Sequence, residues 1–270
     1  MQQKQTKKLG TYIGACGFQS GEQVMEVWKV LPGFDESTPQ FMVGAMTSHK
    51  ILHDKPTKHA SVYPSVTTLK DIFSVRDCRI VNSVHYANYD ADRGFHLCAE
   101  LSSVVDLCGP NMKALQLDMI WPDPAELEAF KKKCPDIDLI LQIGRDAMYM
   151  HNEDPIKIAH EVKHYVGIIS HVLIDASGGE GYAIDLPGVE GYIDGICNLT
   201  SELQFTVAGA LGPKTVWRVA ELVKRYGVSI DAQSQLTKSG RPGDHLDVDV
   251  TKLYIQRAKS LYPSKKRVMA

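Results

Sequence analysis

The amino-acid sequence predicts a single TIM-type (β/α)8 barrel, and three observations carry that prediction. The chain has 270 residues, a length at which an α/β barrel commonly forms one domain. Short apolar runs rich in β-branched residues alternate with longer stretches in which apolar residues recur at helical spacing. Eight such units follow one another, and near-continuously apolar parallel strands need helices on one side and a packed interior on the other.

The strand candidates open each unit. They are TYIGACGF (11–18), QFMVGAM (40–46), RIVNSVHY (79–86), ALQLDMI (114–120), DLILQI (138–143), HVLIDA (171–176), FTVAGA (205–210) and VSIDA (228–232). Helical spacing is clearest in GEQVMEVWKVL, FHLCAELSSVVDL, PAELEAFKKK, PIKIAHEVKHYVG, PKTVWRVAELVKRYG and VTKLYIQRAKSLY. Pro124, Pro155 and Pro213 stand where a first helical turn tolerates proline, and Gly227 stands where a left-handed cap ends a helix.

The remaining composition is that of a globular protein. The chain is 44% hydrophobic and 23% charged, with a formal net charge of −2, which disfavours non-specific binding to nucleic acid. No apolar run approaches the roughly 18 residues of a membrane span. The six cysteines are scattered without a CxxC pair, which indicates reduced thiols. We therefore expect a cytoplasmic protein without nucleic-acid or membrane partners, with a polar tail over 1–10, the barrel over 11–262 and a basic tail over 263–270.

An open, doubly wound sheet is the alternative architecture. Such folds usually carry a glycine-rich dinucleotide-binding turn after an early strand. The segment GACGFQSG matches the G-x-G-x-x-G pattern only loosely, and that pattern is a weak signal even when complete. The closed barrel is therefore the better prediction.

In a barrel of this kind the chemistry lies at the C-terminal ends of the strands. Polar side chains and glycines converge there in this sequence, although each alone could be core filler or a helix cap. We take them as a candidate site that includes Cys16, His49, Lys50, His85, Gln116, Asp118, Arg145, Asp175, Gly209, Asp231 and Gln233.

Two connections are notable. Asp175 is followed by a loop with Gly178, Gly179 and Gly181, which predicts a carboxylate beside backbone that can close over a ligand or a simple flexible turn. The connection after the second strand, 48–68, is longer than usual and rich in His and Lys, which suits a lid, an anionic ligand or a solvated loop. Its histidines are spaced too irregularly to predict a metal site.

Several motifs together resemble a known family. They are ACGFQSGEQVMEVWKV, LQLD, LIDASGGEG, VAGALGPKTVWRVAELVKRYGVSID and VDVTKLYIQRAKSL. In order and spacing, over essentially the full chain, they resemble phosphoribosylanthranilate isomerase of tryptophan biosynthesis. That family consists of single barrels with Cys-Gly at the first strand end, Q-L-H-G at the fourth, L-L-D-S with a G-G-T-G loop at the sixth, A-G-G-L-x-P at the seventh and V-D-V-S-S-G-V-E at the eighth.

The resemblance implies an isomerase that needs no cofactor. Cys16 would be the general base and Asp175 the general acid of an Amadori-type rearrangement, in which an aminoaldose opens and becomes an aminoketose. These roles require the pKa of Asp175 to be raised by burial and the pKa of Cys16 to be lowered by nearby positive charge. The substrate would be a sugar or sugar phosphate, and the protein a monomer or homodimer.

The sequence departs from the family pattern at positions that would bind the substrate. Asp231 and Gln233 fall where the family holds phosphate with small residues, and a carboxylate repels phosphate unless it is turned away or bridged by a metal. Asp118 falls at the family's His position, and Ser229 at its strand-eight aspartate. The catalytic pair is thus retained while the ligand contacts differ.

Three hypotheses follow. The first is an isomerase acting on an N-linked (phospho)ribosyl substrate, with phosphate held by Lys50, His49 or Arg145. The second is a barrel that has lost the activity and binds a sugar, nucleoside or nucleotide at the same mouth. The third is a sugar-phosphate epimerase in which Asp118 and Asp175 hold a divalent metal with His85, and it is the weakest because two histidines are usual in such sites.

Overall fold

The chain folds into a closed barrel of eight parallel strands in sequential order. The computed structural model describes residues 9–29, 34, 38–58, 60–89, 96–175, 177 and 184–262. The strands are β1 (Tyr12–Cys16), β2 (Gln40–Ser48), β3 (Ile80–Ala87), β4 (Met112–Asp118), β5 (Asp138–Gly144), β6 (His171–Asp175), β7 (Gln204–Val207) and β8 (Ser229–Ala232). Because β8 pairs with β1, the sheet has no open edge, and the predicted barrel is confirmed.

Helices follow the strands and cover the outside of the barrel. They are α1 (Gly21–Lys29), α2 (His49–Leu52), α3 (Leu69–Ile72), α4 (Leu97–Cys108), α5 (Pro124–Lys133), α6 (Arg145–Tyr149), α7 (Pro155–Val162), α8 (Leu186–Cys197), α9 (Ala220–Tyr226) and α10 (Val248–Lys259). Pro124 and Pro155 open α5 and α7 as predicted. Gly227 ends α9 with a φ of 65°. Among the described residues, no helix has the length and apolar character that a membrane crossing requires.

Alternate residues of each strand face opposite ways. Leu115 and Leu117 of β4 belong to the large apolar cluster that also contains the buried residues of the surrounding helices. The residues that alternate with them, Ala114 and Gln116, face the barrel interior, where Ala114 packs with residues of five other strands. The inward-facing side chains are apolar near the N-terminal ends of the strands, which we call the lower half of the interior. They are mostly polar near the C-terminal ends, which we call the upper half.

The lower half of the interior is filled mainly by apolar side chains, together with some hydrogen-bonded polar groups. Its apolar cluster consists of Leu9, Tyr12, Met42, Val81, Ala114, Ile140 and Leu173. The Tyr12 hydroxyl accepts a hydrogen bond from Thr206 Oγ1 at 2.8 Å, and Ser229 Oγ accepts one from the Tyr12 backbone N–H at 3.0 Å. Leu9, which lies in the predicted polar tail, is buried at this end of the barrel.

The long connection after β2 is folded rather than extended. The strand continues through Thr47 and Ser48, and Ser48 caps α2 by accepting a hydrogen bond from the Ile51 N–H. Farther along, Val62 is buried against Cys16 and Met46, and Ser61 Oγ donates to the carbonyl of Gly243 at 3.2 Å. The connection therefore lies across the end of β1 and reaches the loop that follows β8.

Candidate active site

The C-terminal ends of the strands surround one polar cavity, which we call the mouth cavity. Its empty volume is about 440 Å³. Strands β3 to β6 and β8, and the segments after β6, β7 and β8, contribute to its walls. The lining residues are His85, Gln116, Gln142, Leu173, Asp175, Ser177, Ala208, Gly209, Ala210, Leu211, Asp231, Ala232, Gln233 and Ser234.

Asp175 is the last residue of β6, and its side chain is held at the wall of this cavity. It is 8% exposed. Its Oδ1 accepts hydrogen bonds from the Ser177 N–H at 3.0 Å and from Ser177 Oγ at 2.5 Å. Burial raises the pKa of Asp175 against the opposing effect of these hydrogen bonds, and the negative charge of Asp118 adds to the rise. The pKa shift has the direction that a general acid requires.

Asp231 is a second buried carboxyl in the same cavity. It lies within β8 opposite Gly14 of β1, and a Cβ built on Gly14 would stand 2.2 Å from Asp231 Oδ1. The missing side chain of Gly14 therefore gives Asp231 its space. Burial raises the pKa of Asp231 to about 6, His85 counteracts the rise and Asp175 adds to it. Repulsion between the two carboxylates favours states in which one of them holds a proton.

His85 links the cavity to two further ionisable groups. Its Nε2 lies 3.2 Å from Asp118 Oδ2, close enough for an ion pair but not aligned as a hydrogen bond. Its Nδ1 lies 3.9 Å from Cys16 Sγ and 3.5 Å from Gln116 Nε2. Burial alone would lower the pKa of His85, but Asp118 and Cys16 raise it well above its usual value. Tyr89 donates a short hydrogen bond to the other oxygen of Asp118.

Cys16 ends β1 beside the mouth cavity but does not line it. It borders a smaller cavity with an empty volume of about 290 Å³, and Gln233 and Ser234 form the wall that the two cavities share. Val62 and Leu246 also line this smaller cavity. Burial raises the pKa of the Cys16 thiol, and the contact with His85 offsets this only in part. That direction is opposite to the one that the base role requires.

Backbone N–H groups at the ends of β7 and β8 offer a place for an anion. Gly209 and Ala210 have left β7 with φ values of 123° and 47°. Within the described part of the chain, the N–H groups of 209–211, Gln233 and Ser234 donate no hydrogen bond. All five residues line the mouth cavity. Clustered unpaired N–H groups after strands seven and eight are the usual phosphate site of barrels of this class.

The structure brings together about half of the residues predicted from sequence. His85, Gln116, Asp175, Gly209, Asp231 and Gln233 line the mouth cavity, with Asp118 and Cys16 in contact with His85. Gln233 Nε2 donates to Met46 Sδ at 3.0 Å. Asp231 lies inside β8, whereas the N–H groups of Gln233 and Ser234 belong to the turn after it. The carboxyl is therefore not part of the turn that offers these N–H groups.

Three predicted ligand contacts lie elsewhere. His49 and Lys50 belong to α2, because β2 extends to Ser48, and His49 turns toward Glu100 of α4. Lys50 is exposed. Arg145 starts α6 and donates to the Ser177 carbonyl at 2.7 Å, so it supports the loop after β6. Gly178, Gly179 and Gly181 lie outside the described residues.

Some residues of the cavity were not included in the predicted site. Gln142 and Ser177 are recognisable in the sequence as polar residues at the ends of the fifth and sixth strands, and Gln142 accepts a hydrogen bond from Gln116 at 2.8 Å inside the barrel. Ser234 gave no pattern of its own. Among the described residues, the acidic and histidine side chains of the mouth do not form a three-ligand metal cluster.

Known proteins resemble this chain in structure at low sequence identity. Phosphoribosylanthranilate isomerase from Thermus thermophilus superposes with a TM-score of 0.62 at 13% identity, over 93% of this chain and 99% of that chain. A second phosphoribosylanthranilate isomerase, in complex with reduced 1-(o-carboxyphenylamino)-1-deoxyribulose 5-phosphate, gives 0.58 at 16% over 93% and 100%. Tryptophan synthase subunit alpha from Legionella pneumophila gives 0.56 at 10% over 93% and 90%.

No protein-family model and no curated protein sequence matches the chain. The solved structures therefore define its class by fold alone, as a single (β/α)8 barrel. Within that class, its fold is similar to that of the phosphoribosylanthranilate isomerases.

Proposed function

We propose that this chain is an aldose–ketose isomerase that rearranges an N-linked phosphoribosyl substrate without a cofactor. The observation that carries the proposal is the pair of buried carboxyls, Asp175 and Asp231, which share one cavity with N–H groups that have no partner among the described residues. An isomerisation of this kind needs one acid and one base at the sugar. A buried carboxyl that holds its proton and a second one that is mostly ionised at neutral pH supply both.

The reaction has two stages, the opening of the ring and the transfer of a proton from C2 to C1. Asp175 gives a proton to the ring oxygen, the bond between that oxygen and C1 breaks, and the nitrogen lone pair forms a C1=N double bond. A base then removes the proton from C2, and the electrons of that bond form a C1=C2 double bond while the nitrogen regains its pair. The base returns that proton to C1, and the C2 hydroxyl gives its proton to the Asp175 carboxylate, which leaves a ketone at C2 and restores both groups. Atoms and electrons balance without an outside oxidant.

Asp231 is the group that the geometry favours as the base. It lines the mouth cavity, and a pKa of about 6 leaves it mostly ionised at pH 7, close to the value that is most effective for base catalysis. Cys16, which the family resemblance assigns to this role, lines the neighbouring cavity and has a raised pKa. Its base role stays a prediction that the same experiment tests.

Phosphate binding is proposed at the ends of β7 and β8. The N–H groups of 209–211, Gln233 and Ser234 supply donors with no partner in the described part of the chain, and donors of this kind suit a phosphate dianion. His49 and Lys50, the basic residues considered from sequence, lie on α2 away from this cavity. A substrate phosphate is therefore proposed to be held by backbone.

The test uses freshly prepared phosphoribosylanthranilate, whose fluorescence falls as it is isomerised. Wild-type protein should turn it over, and Asp175→Asn should lower kcat by about 10²–10⁴-fold. Inorganic phosphate should inhibit competitively. Circular dichroism and thermal unfolding would establish that each variant is folded. No turnover by folded wild-type protein would contradict the proposal and favour a barrel that binds a sugar, nucleoside or nucleotide.

The same assay separates the two candidate bases. If Asp231 is the base, Asp231→Asn should lower kcat by about 10²–10⁴-fold, and Cys16→Ser should retain most of the activity. In wild-type protein kcat/KM should fall as the pH drops through about 6, where Asp231 becomes protonated. The reverse pattern, with Cys16→Ser inactive and Asp231→Asn active, would return the base role to the thiol.

A further inference from the structure

A second cluster of ionisable side chains lies outside the mouth cavity, between α2 and α4. His49 begins α2 and His53 caps its C-terminal end, so the two imidazoles are four residues apart and on one side of the helix. Their ring centroids are 4.3 Å apart. Glu100 of α4 faces both, because its Oε1 lies 2.9 Å from His49 Nδ1 and 3.5 Å from His53 Nε2.

We propose that His49, His53 and Glu100 form a binding site for a divalent transition-metal ion, with zinc as the expected metal. Two imidazoles and one carboxylate are a known zinc ligand set. The three ligand atoms all lie within 4.8 Å of one another. Ligands around a tetrahedral zinc stand about 3.3–3.6 Å apart, given bond lengths of about 2.0–2.2 Å. Small side-chain rotations therefore suffice to admit the ion.

The surroundings leave room for a further ligand. The cluster lines a groove with an empty volume of about 1330 Å³, in which His96 and Ser103 add polar groups and Leu107 adds an apolar wall. The side chains of His49 and Glu100 are 20% and 14% exposed. A partly buried carboxylate between two imidazoles is suited to a cation, and a site with three protein ligands keeps a position for water or another small ligand.

Lys55 provides a specific check on the geometry. Its Nζ lies 3.0 Å from His49 Nε2, so His49 accepts from Lys55 through Nε2 and donates to Glu100 through Nδ1. A metal ion on Nδ1 leaves the proton on Nε2, which can then no longer accept from an ammonium group. Lys55 is exposed and can turn into solvent. Its removal should therefore leave the metal affinity unchanged or raise it.

The site differs from the mouth cavity in place and in composition. It lies between two outer helices, whereas the proposed isomerisation uses residues inside the barrel. The metal is therefore not required by the proposed function, and the two proposals fail independently. A bound ion would join the connection after β2 to α4 and stabilise both against local unfolding.

The experiment is a zinc titration of the full-length chain after treatment with a chelator and desalting, followed by calorimetry at pH 7.5. We expect one zinc ion per chain. Glu100→Gln and His53→Ala should each weaken binding by at least about 10-fold, whereas Lys55→Ala should not weaken it. His160→Ala, which removes an exposed histidine of α7, is the matched control and should bind as wild type does.

The melting temperature separates zinc bound at this site from zinc bound by thiols. All variants keep the exposed thiols of Cys78 and Cys197, so zinc bound by thiols contributes equally to each titration. Zinc should raise the Tm of wild type and His160→Ala but not that of His53→Ala, whose substitution is at an exposed helix end. Equal zinc affinity in wild type, Glu100→Gln and His53→Ala, or no stoichiometric binding by wild type, would overturn the proposal and leave an ion pair only.

Discussion

The lower and upper halves of the barrel interior are built from the same strands but from opposite kinds of side chain. In the lower half, Met42 and Ile140 pack in a closed apolar cluster. In the upper half, Asp175 and Asp231 are buried, and the partly buried His85 lines the same cavity. Apolar burial stabilises a fold, whereas burial of an ionised carboxylate costs free energy. The lower half therefore stabilises the molecule, and the upper half holds groups that make chemistry possible.

The largest expected effect is on the free energy of unfolding, through a substitution in the lower half. Ile140→Ala should lower the free energy of unfolding by about 2–5 kcal/mol, because Ile140 is fully buried and a cavity would remain. The turnover of the folded protein should stay within a few-fold of wild type. Urea unfolding measures the first quantity. Ile156→Ala, at a position 67% exposed, is the control and should change stability by less than about 0.5 kcal/mol.

The second prediction tests whether the position of the Asp231 carboxyl depends on the absence of a side chain at Gly14. Gly14→Ala places a Cβ where Asp231 Oδ1 now lies, so it should displace the carboxyl and lower kcat/KM by about 10²-fold. Gly10→Ala is the matched control, because its Cβ would meet no atom closer than 3.9 Å. In an Asp231→Ala background, Gly14→Ala should cost no further activity. Additive losses in the double variant would show that Gly14 acts by another route.

A smaller effect concerns the free energy of unfolding, to which buried Asp231 makes a contribution that depends on pH. Its pKa rises from 3.8 to about 6 on folding, so the folded state binds the proton more tightly than the unfolded chain does. The contribution of Asp231 to stability is favourable below about pH 4 and is lost as the pH rises through about 6. Above that pH the ionised carboxylate is a cost, and Asp231→Asn should stabilise the protein by about 1–3 kcal/mol.

Urea unfolding of wild type and Asp231→Asn between pH 4.5 and 7.5 would measure this effect. The difference between the two proteins should shrink steadily toward the acidic end. Asp249→Asn, at a side chain 91% exposed, is the control and should show no such trend. A difference that is constant with pH would mean that Asp231 does not change its proton affinity on folding.

The smallest effect concerns the rim of the upper half. Tyr89 is 49% exposed and donates a hydrogen bond to Asp118, which pairs with His85. Tyr89→Phe removes one hydrogen bond, worth about 0.5–1.5 kcal/mol, and should lower kcat/KM by no more than about 10-fold. Tyr149→Phe, at another exposed tyrosine, should have no effect. A loss of 100-fold or more would mean that Tyr89 itself contacts the substrate.

The barrel and the facing of its strands could be predicted because burial imposes a period of two on each strand. In the run LQLD, Leu115 and Leu117 face the helices, while Gln116 and Asp118 face inward. The eight predicted strands all occur in the structure. The same reasoning identified Asp175 and Asp231, because a charged residue at the end of an apolar strand has few places to go except the mouth.

The errors have equally physical causes. Thr47 and Ser48 are polar, yet both pair with β3, so the strand end could not be read from polarity, and His49 lies on α2 facing Glu100. His49 and His53 both face Glu100, which is 51 residues from His49, and such a contact depends on how α4 packs. The enclosure of Cys16 by Val62 and Leu246 likewise depends on how two loops lie across the barrel.

The close approach of Gly14 to Asp231 also constrains how this protein can change over generations. A side chain at position 14 and a carboxyl at position 231 cannot share the space that one Cβ would take from Oδ1. Either position can mutate first only at the expense of the arrangement at the other. Among descendants of this sequence, the two positions should therefore covary, with a larger residue at 14 accompanied by Gly, Ala or Ser at 231. A lineage with Ala at 14 and Asp retained at 231 would have to turn the carboxyl out of its present position or move β1 away from β8.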